Sequence, residues 1–269
     1  MVHTLPEGRP VFGVTTLGDQ VYLLRPKGRD EIEVYDVITY RLQRCLSVPR
    51  NTRGFYDMTS CEHFLCLYIS DPKSECVHRL DLQGSATKWL VRDKPFGLSV
   101  NASRSVIVTC SEVHKIKEFS PRGDLLRDVT LSGDVINPLH AIQLTSGEMV
   151  VCHGTVDDSV RRVCKVSADG RHIVHSQGGQ PGSDTGQFHV ASHLAVDNNE
   201  FVFVVDAINQ RVTLLSPTLD HISQVVSRGQ VKWRPRRLCL DVQKRRMYVA
   251  DDEYKDGKYK AGRVVVFSV

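Results

Sequence analysis

The sequence predicts an all-β protein, a six-bladed β-propeller closed into a ring. Three observations carry that expectation. The 269-residue chain repeats itself, with units opening at about 13, 56, 97, 140, 193 and 237, steps of 43, 41, 43, 53 and 44. Within each unit, runs of four to six aliphatic or β-branched residues alternate with Gly, Asn, Asp, Ser and Pro clusters, and no helical period is sustained. The last unit runs out after its third strand, at "GRVVVFSV", while about ten spare residues, MVHTLPEGRP, precede the first. A strand around Val2–Leu5 is therefore expected to complete the last blade, removing the open edges that a solenoid would have to cap.

The clearest unit, "HLAVDNNEFVFVVDAINQRVTLLSP" (193–217), aligns without a gap on "GLSVNASRSVIVTCSEVHKIKEFSP" (97–121). Further copies are "RLCLDVQKRRMYVADDE" (237–253), which rejoins at "GRVVVF", and "HAIQLTSGEMVVCHG" (140–154), which rejoins at "RRVCKVSADG". Looser ones are "GVTTLGDQVYLLRP" (13–26) and "YDMTSCEHFLCLYISD" (56–71). The Gly-rich "GGQPGSDTG" (178–186) lacks the Lys-Ser/Thr ending and the following helix of a phosphate loop, and reads as a long inter-blade connection. The whole chain, 1–269, is expected to form one propeller domain.

Composition is that of a globular protein, 41% hydrophobic and 25% charged, with a net charge of +4. No apolar run approaches the ~20 residues of a membrane span and the N-terminus lacks a signal-peptide pattern, so a cytoplasmic location without membrane contact is expected. The eight cysteines show no CxxC pair and mostly lie inside apolar runs, as buried reduced thiols do.

Asp206, Asn209 and Arg211 sit where the second strand of a blade turns into the third, and Asp251 with Arg263 repeats the arrangement. Cys110 and Lys115 replace the pair in the third unit, and His153 replaces the acid in the fourth. A pair repeated around a ring and dispensable in some units is turn chemistry: the acid accepts backbone N–H bonds of the turn and the base pairs with it across the hairpin. The pattern "GG-Q-P-G-S-D-T-G-Q-F…HLAVD…FVFVVDAINQRVTLLSP" resembles the NHL repeat, strongly over 178–217, moderately over 237–267 and in outline over 97–121. The resemblance implies a six-bladed propeller like the C-terminal domain of tripartite-motif (TRIM-NHL) ubiquitin ligases, where it binds RNA or protein as one part of a longer chain. It also implies kinship with a neuropeptide-amidating lyase that holds zinc on histidines. No zinc cluster of the RING or B-box kind is encoded here.

Two sets of residues could carry function. The inter-blade connections share one face and are rich in bases: Arg50, Arg53, Arg92, Lys94, Lys232, Arg234, Arg236 and Arg237, with Trp233 among them. A cationic face with an aromatic suits single-stranded RNA or an acidic protein segment, since phosphates and carboxylates want Lys and Arg and an exposed base stacks on indole. Such a recognition module needs no cofactor and no catalytic residue. The second set opens the innermost strands: Tyr56 with Asp57, His140, His193 and Arg237. A metal-assisted enzyme of the six-bladed kind would work there, but two histidines fall short of the usual three protein ligands of a catalytic zinc, which favours polar residues lining a wet channel.

Overall fold

A computed structural model describes residues 1–25, 31–48 and 54–269, and the repeat appears in it as six four-stranded antiparallel sheets. Blade 1 takes Gly13–Leu17, Gln20–Arg25, Glu31–Asp36 and Leu42–Ser47; blade 2 takes Met58–Cys61, Cys66–Asp71, Cys76–Asp81 and Ala86–Leu90. Blade 3 takes Leu98–Val100, Val106–Cys110, Lys115–Phe119 and Leu125–Thr130; blade 4 takes Pro138–Gln143, Met149–His153, Arg161–Val166 and Ile173–Gly179. Blade 5 takes Ala191–Val196, Val202–Asp206, Arg211–Leu215 and His221–Val226. Blade 6 takes Arg234–Asp241, Arg246–Lys255 and Lys258–Ser268 from the end of the chain, and its outermost strand, His3–Thr4, from the beginning. No helix among the described residues is long and apolar enough to cross a membrane.

The expected closure is present. His3 lies opposite Val266 and Thr4 opposite Val265, and Leu5 N donates to Val264 O at 2.8 Å. Leu5 is fully buried, and burying a leucine contributes about 1.5–3 kcal/mol. The innermost strands touch one another in a circle, blade 1 meeting both blade 2 and blade 6.

Period-2 patterning decides where the core lies. Second strands such as "VIVTC" and "VFVVD" are buried on both faces because a neighbouring blade covers each side, whereas outer strands such as Ala86–Leu90 are mostly exposed. Six apolar clusters result, one in each interface between consecutive blades. The cluster between blades 6 and 1 includes Leu5 and Val11, so the N-terminal segment secures the join by packing as well as by hydrogen bonds.

The recurring turn position shows five chemistries across the six blades. Cross-strand register pairs Asp206 with Arg211, Asp251 with Arg263, Asp71 with Cys76, Cys110 with Lys115, His153 with Arg162 and Arg25 with Glu31. The acid does more than serve its own turn, which amends the expectation. Asp206 Oδ1 accepts from His189 N and Val190 N at 3.0 and 3.1 Å, while Oδ2 takes Asn209 Nδ2 and Arg211 Nε. Asp251 Oδ2 likewise accepts from Lys232 N and Trp233 N at 2.7 and 3.1 Å. In both blades the carboxylate ties down the segment that arrives from the preceding blade. Blade 1 inverts the polarity: Arg25 pairs with Glu33 at 2.7 Å and donates to Pro6 O and Gly262 O.

Candidate functional site at the centre of the ring

The centre of the ring is built by three β-bulges. In blades 4, 5 and 6 the register of the first strand shifts between Pro138 and His140, Ala191 and His193, and Pro235 and Arg237. Each bulge places two residues against one on the partner strand and re-aims the side chains that follow. Leu139, Ser192 and Arg236 therefore line a cavity at the channel mouth, while His140 and His193 line a second cavity on the other side. Blades 1 to 3 keep a regular register at their first strands.

Between the two cavities lies a closed polar layer. Asp57, on the lead-in to blade 2, is buried and accepts Arg237 Nε on Oδ1 and Leu98 N on Oδ2, both at 2.9 Å. Arg237, also buried, donates to Tyr56 O at 2.8 Å and to Arg236 O at 3.1 Å, and its guanidinium stands 4.7 Å from the Tyr56 ring centre. The rings of His140 and His193 lie 3.9 Å apart, with their Nε2 atoms 4.0 and 3.7 Å from Asp57 Oδ2. His140 Nε2 is 3.0 Å from Leu98 O, so that nitrogen carries the proton. The Nδ1 atoms of both histidines are buried without a partner.

The charge states follow from this arrangement. Burial alone would push the Asp57 carboxyl up, but Arg237 and, more weakly, the two imidazoles hold it well below the usual carboxylate range. Burial, then the neighbouring His193, pushes His140 down to about 3, and burial lowers His193 against the pull of Asp57. Both rings are neutral at neutral pH. The layer is an ion pair flanked by neutral imidazoles.

A zinc of the kind the lyase resemblance implies does not fit these residues. Three donor atoms of Asp57, His140 and His193 do converge. His140 Nε2, however, offers a proton to Leu98 O rather than a lone pair, and Asp57 Oδ1 is held by the Arg237 guanidinium. The fixed charge of Arg237, 2.9 Å from Asp57, stands where a dication would have to be stabilised.

The mouth cavity has a volume of about 480 Å³ and is lined by Tyr56, Tyr254, Tyr259, Arg234, Arg236 and Arg237, with Val156, Ile208 and Pro235 as apolar wall. Arg236 is buried; its guanidinium stacks on Phe12 and Tyr259 at 3.9 and 4.3 Å and lies 3.6 Å from Asp252. Burial pushes the Asp252 carboxyl up to about 6, and Arg236 pulls the other way. Arg234 is exposed, rests 5.2 Å from the Tyr254 ring centre, and makes no ion pair among the described residues.

The basic face expected from the sequence is thus dispersed. Arg50 and Arg53 lie outside the described residues. Lys94 pairs with Glu112 and Lys232 with Glu7, both at 2.8 Å; Arg92 is exposed. Lys232 Nζ sits 4.2 Å from the Trp233 ring centre, so one face of that half-buried indole is already covered. Arg236 and Arg237 turn inward. The sequence pointed to Tyr56 and Asp57 but not to Tyr254 and Tyr259. Their signal was the extended hairpin "DEYKDGKY", whose Asp256-Gly257 pair, with φ of 52° and 71°, is a tight two-residue turn that projects both tyrosines over the mouth.

No protein-family model matches the chain, and no curated protein matches its sequence. Solved structures match over nearly the full length at low identity. Virginiamycin B lyase from Staphylococcus aureus is 12% identical, covers 98% of this chain and 88% of its own, and superposes with a TM-score of 0.64. Hydrazine synthase from Kuenenia stuttgartiensis is 15% identical, with 100% and 98% coverage and a TM-score of 0.66. The Cps50 (Swd1) β-propeller domain from Myceliophteria thermophila is 11% identical, with 99% and 99% coverage and a TM-score of 0.67. At these identities the likeness shows the fold: the chain is a six-bladed β-propeller.

Proposed function

We propose that this propeller is a non-catalytic recognition module of NHL type that binds an acidic protein segment at the mouth of the central channel. One observation carries the reading: Arg234, unpaired among the described residues, stands beside Tyr56, Tyr254 and Tyr259 on a 480 Å³ cavity whose floor is Arg236 and Arg237. A carboxylate entering there meets a guanidinium able to bind it bidentately, with tyrosine rings to sandwich the chain that carries it. An RNA strand is less well served. It needs a continuous row of free bases on the surface, and Lys94, Lys232, Arg236 and Arg237 are each engaged with an acid of the protein itself.

Titrating a fluorescein-labelled oligoglutamate peptide, its oligoglutamine counterpart and oligouridine, read by anisotropy, tests this. The acidic peptide is expected to bind, to weaken with salt, and to lose about tenfold in affinity, about 1.4 kcal/mol, in Arg234→Ala. Binding of oligouridine but not of the peptide, or binding indifferent to Arg234→Ala, would overturn it.

A second reading, chemistry on a ligand at the same mouth, is favoured by the two buried imidazoles beneath it and by the lyase among the structural neighbours, one of whose structures is a catalytically inactive histidine-to-alanine variant with quinupristin. It would be supported if the purified protein consumed quinupristin in a His193-dependent manner.

A further inference from the structure

A second cluster of metal-type donors lies away from the channel, in blade 2. Asp71 ends the second strand of that blade, and Cys76 and His78 stand two apart on the third, so all three side chains project to one side of the sheet. All three are buried. His78 Nε2 lies 3.3 Å from Cys76 Sγ and 3.6 Å from Asp71 Oδ2, and one atom from each residue falls within 4.8 Å of the others.

We propose that Asp71, Cys76 and His78 form a binding site for a divalent cation of the zinc type. Zn–S of about 2.3 Å and Zn–N or Zn–O of about 2.0–2.2 Å put the edges of a tetrahedral coordination shell at about 3.3–3.6 Å. The measured separations from His78 Nε2, 3.3 Å to sulfur and 3.6 Å to carboxylate, lie within about 0.3 Å of those edges, a distance that side-chain adjustment closes. A thiol–imidazole hydrogen bond alone explains only one of them, because a single ring nitrogen makes one such bond, while here sulfur and carboxylate both converge on it.

The turn chemistry of the ring points the same way. In blades 5 and 6 the equivalent acid is met by Arg211 or Arg263. Blade 2 keeps the acid but has Cys76 at the arginine position and His78 where blade 5 has Thr213. Asp71 is fully buried, and among the described residues His78 is the one basic side chain within ion-pair distance of it. Lys88, the exposed cross-strand neighbour of His78, makes no ion pair with Asp71. Ser74 already orients the carboxylate, its N–H donating to Oδ1 at 3.1 Å and its hydroxyl to Oδ2 at 2.8 Å, as outer-shell partners of metal ligands do.

Binding is a proton exchange. The Cys76 S–H bond breaks, an S–metal bond forms, the proton leaves to solvent, and His78 Nε2 and Asp71 Oδ2 each donate a lone pair. Two positive charges then meet one thiolate and one carboxylate, so the filled site is neutral, with the remaining tetrahedral position left to water.

The test uses the full chain stripped by chelator and reloaded with Zn²⁺, then with Co²⁺ as a spectroscopic probe. One equivalent is expected to bind, and cobalt is expected to show thiolate-to-metal charge transfer. Cys76→Ser should abolish that absorption and cut Zn²⁺ affinity by about 100-fold, while Asp71→Asn, which keeps the bond from Ser74 N, should cost about 10-fold. His193→Gln should change nothing. If Cys76→Ser fails to fold by circular dichroism, Asp71→Asn carries the test. No uptake, uptake untouched in both blade-2 variants, or uptake removed by His193→Gln would overturn the proposal.

Discussion

Two clusters in this protein combine a buried aspartate with buried histidine, one at the centre of the ring and one inside blade 2, and the third partner makes them opposites. At the centre, Asp57 faces His140, His193 and the guanidinium of Arg237. A dication there would leave two uncompensated positive charges in a buried layer. In blade 2, Asp71 faces His78 and a thiol that can ionise, and the same dication is neutralised. Residue types at ligand distance are therefore not enough to read a metal site; the sum of charges after binding, in a medium that solvates ions poorly, separates the two.

The sharpest way to break this comparison is to remove the central cation. Arg237→Leu leaves Asp57 buried and unpaired and is expected to cost about 3–5 kcal/mol in urea unfolding, with much of it recovered when Asp57→Asn is added. If the single variant costs under about 1 kcal/mol, Arg237 is not what holds the layer.

Acidification comes next. A histidine whose folded pKa lies below its unfolded value of 6.5 leaves the unfolded chain holding more protons, so its contribution is full above about pH 6.5. It is lost as pH falls toward the folded values, about 3 for His140 and about 4 for His153. Each such histidine gives a slope of about 1.4 kcal/mol per pH unit. Asp252, raised to about 6 from 3.8, works in the opposite sense, since between those values the folded state holds the extra proton. With Asp252 offsetting part of the two histidines' loss, stability is expected to fall by about 2 kcal/mol between pH 6.5 and 5, and His140→Asn to flatten the slope by one histidine. A flat profile over that interval would contradict the neutral, buried rings.

Zinc provides the matching perturbation of blade 2. At a free concentration of 100 times Kd it is expected to stabilise the protein by about 2.7 kcal/mol, an increment cut to about 0.4 kcal/mol in Cys76→Ser and kept in Arg237→Leu. Smaller still is the effect at an ordinary turn. Asp206→Ala removes the acceptor for His189 N and Val190 N and is expected to cost about 1–3 kcal/mol with no sensitivity to zinc, measured by the same unfolding titration.

The fold was legible because a ring of blades repeats its pattern, and the strand borrowed from Val2–Leu5 could be anticipated from a unit that ends one strand early. The centre was legible only in part. Tyr56, Asp57, His140, His193 and Arg237 were identified as neighbours, but the bulges that turn the last three inward, and so bury Arg237 rather than offer it to a partner, add a single residue per strand and leave no mark in the pattern. Tyr254 and Tyr259 were hidden in an extension dominated by lysines. The blade-2 cluster was invisible because that unit is one of the two loosest copies of the repeat: with Cys76 at the arginine position, its cysteines read as ordinary buried thiols.

X-ray absorption at the zinc edge, on protein carrying one equivalent of zinc, addresses both clusters in one spectrum. A coordination shell containing one sulfur at about 2.3 Å is the result expected if the ion sits with Cys76 in blade 2 and Arg237 excludes it from the centre. A shell of nitrogen and oxygen only would locate the ion on His140, His193 and Asp57 and contradict the account.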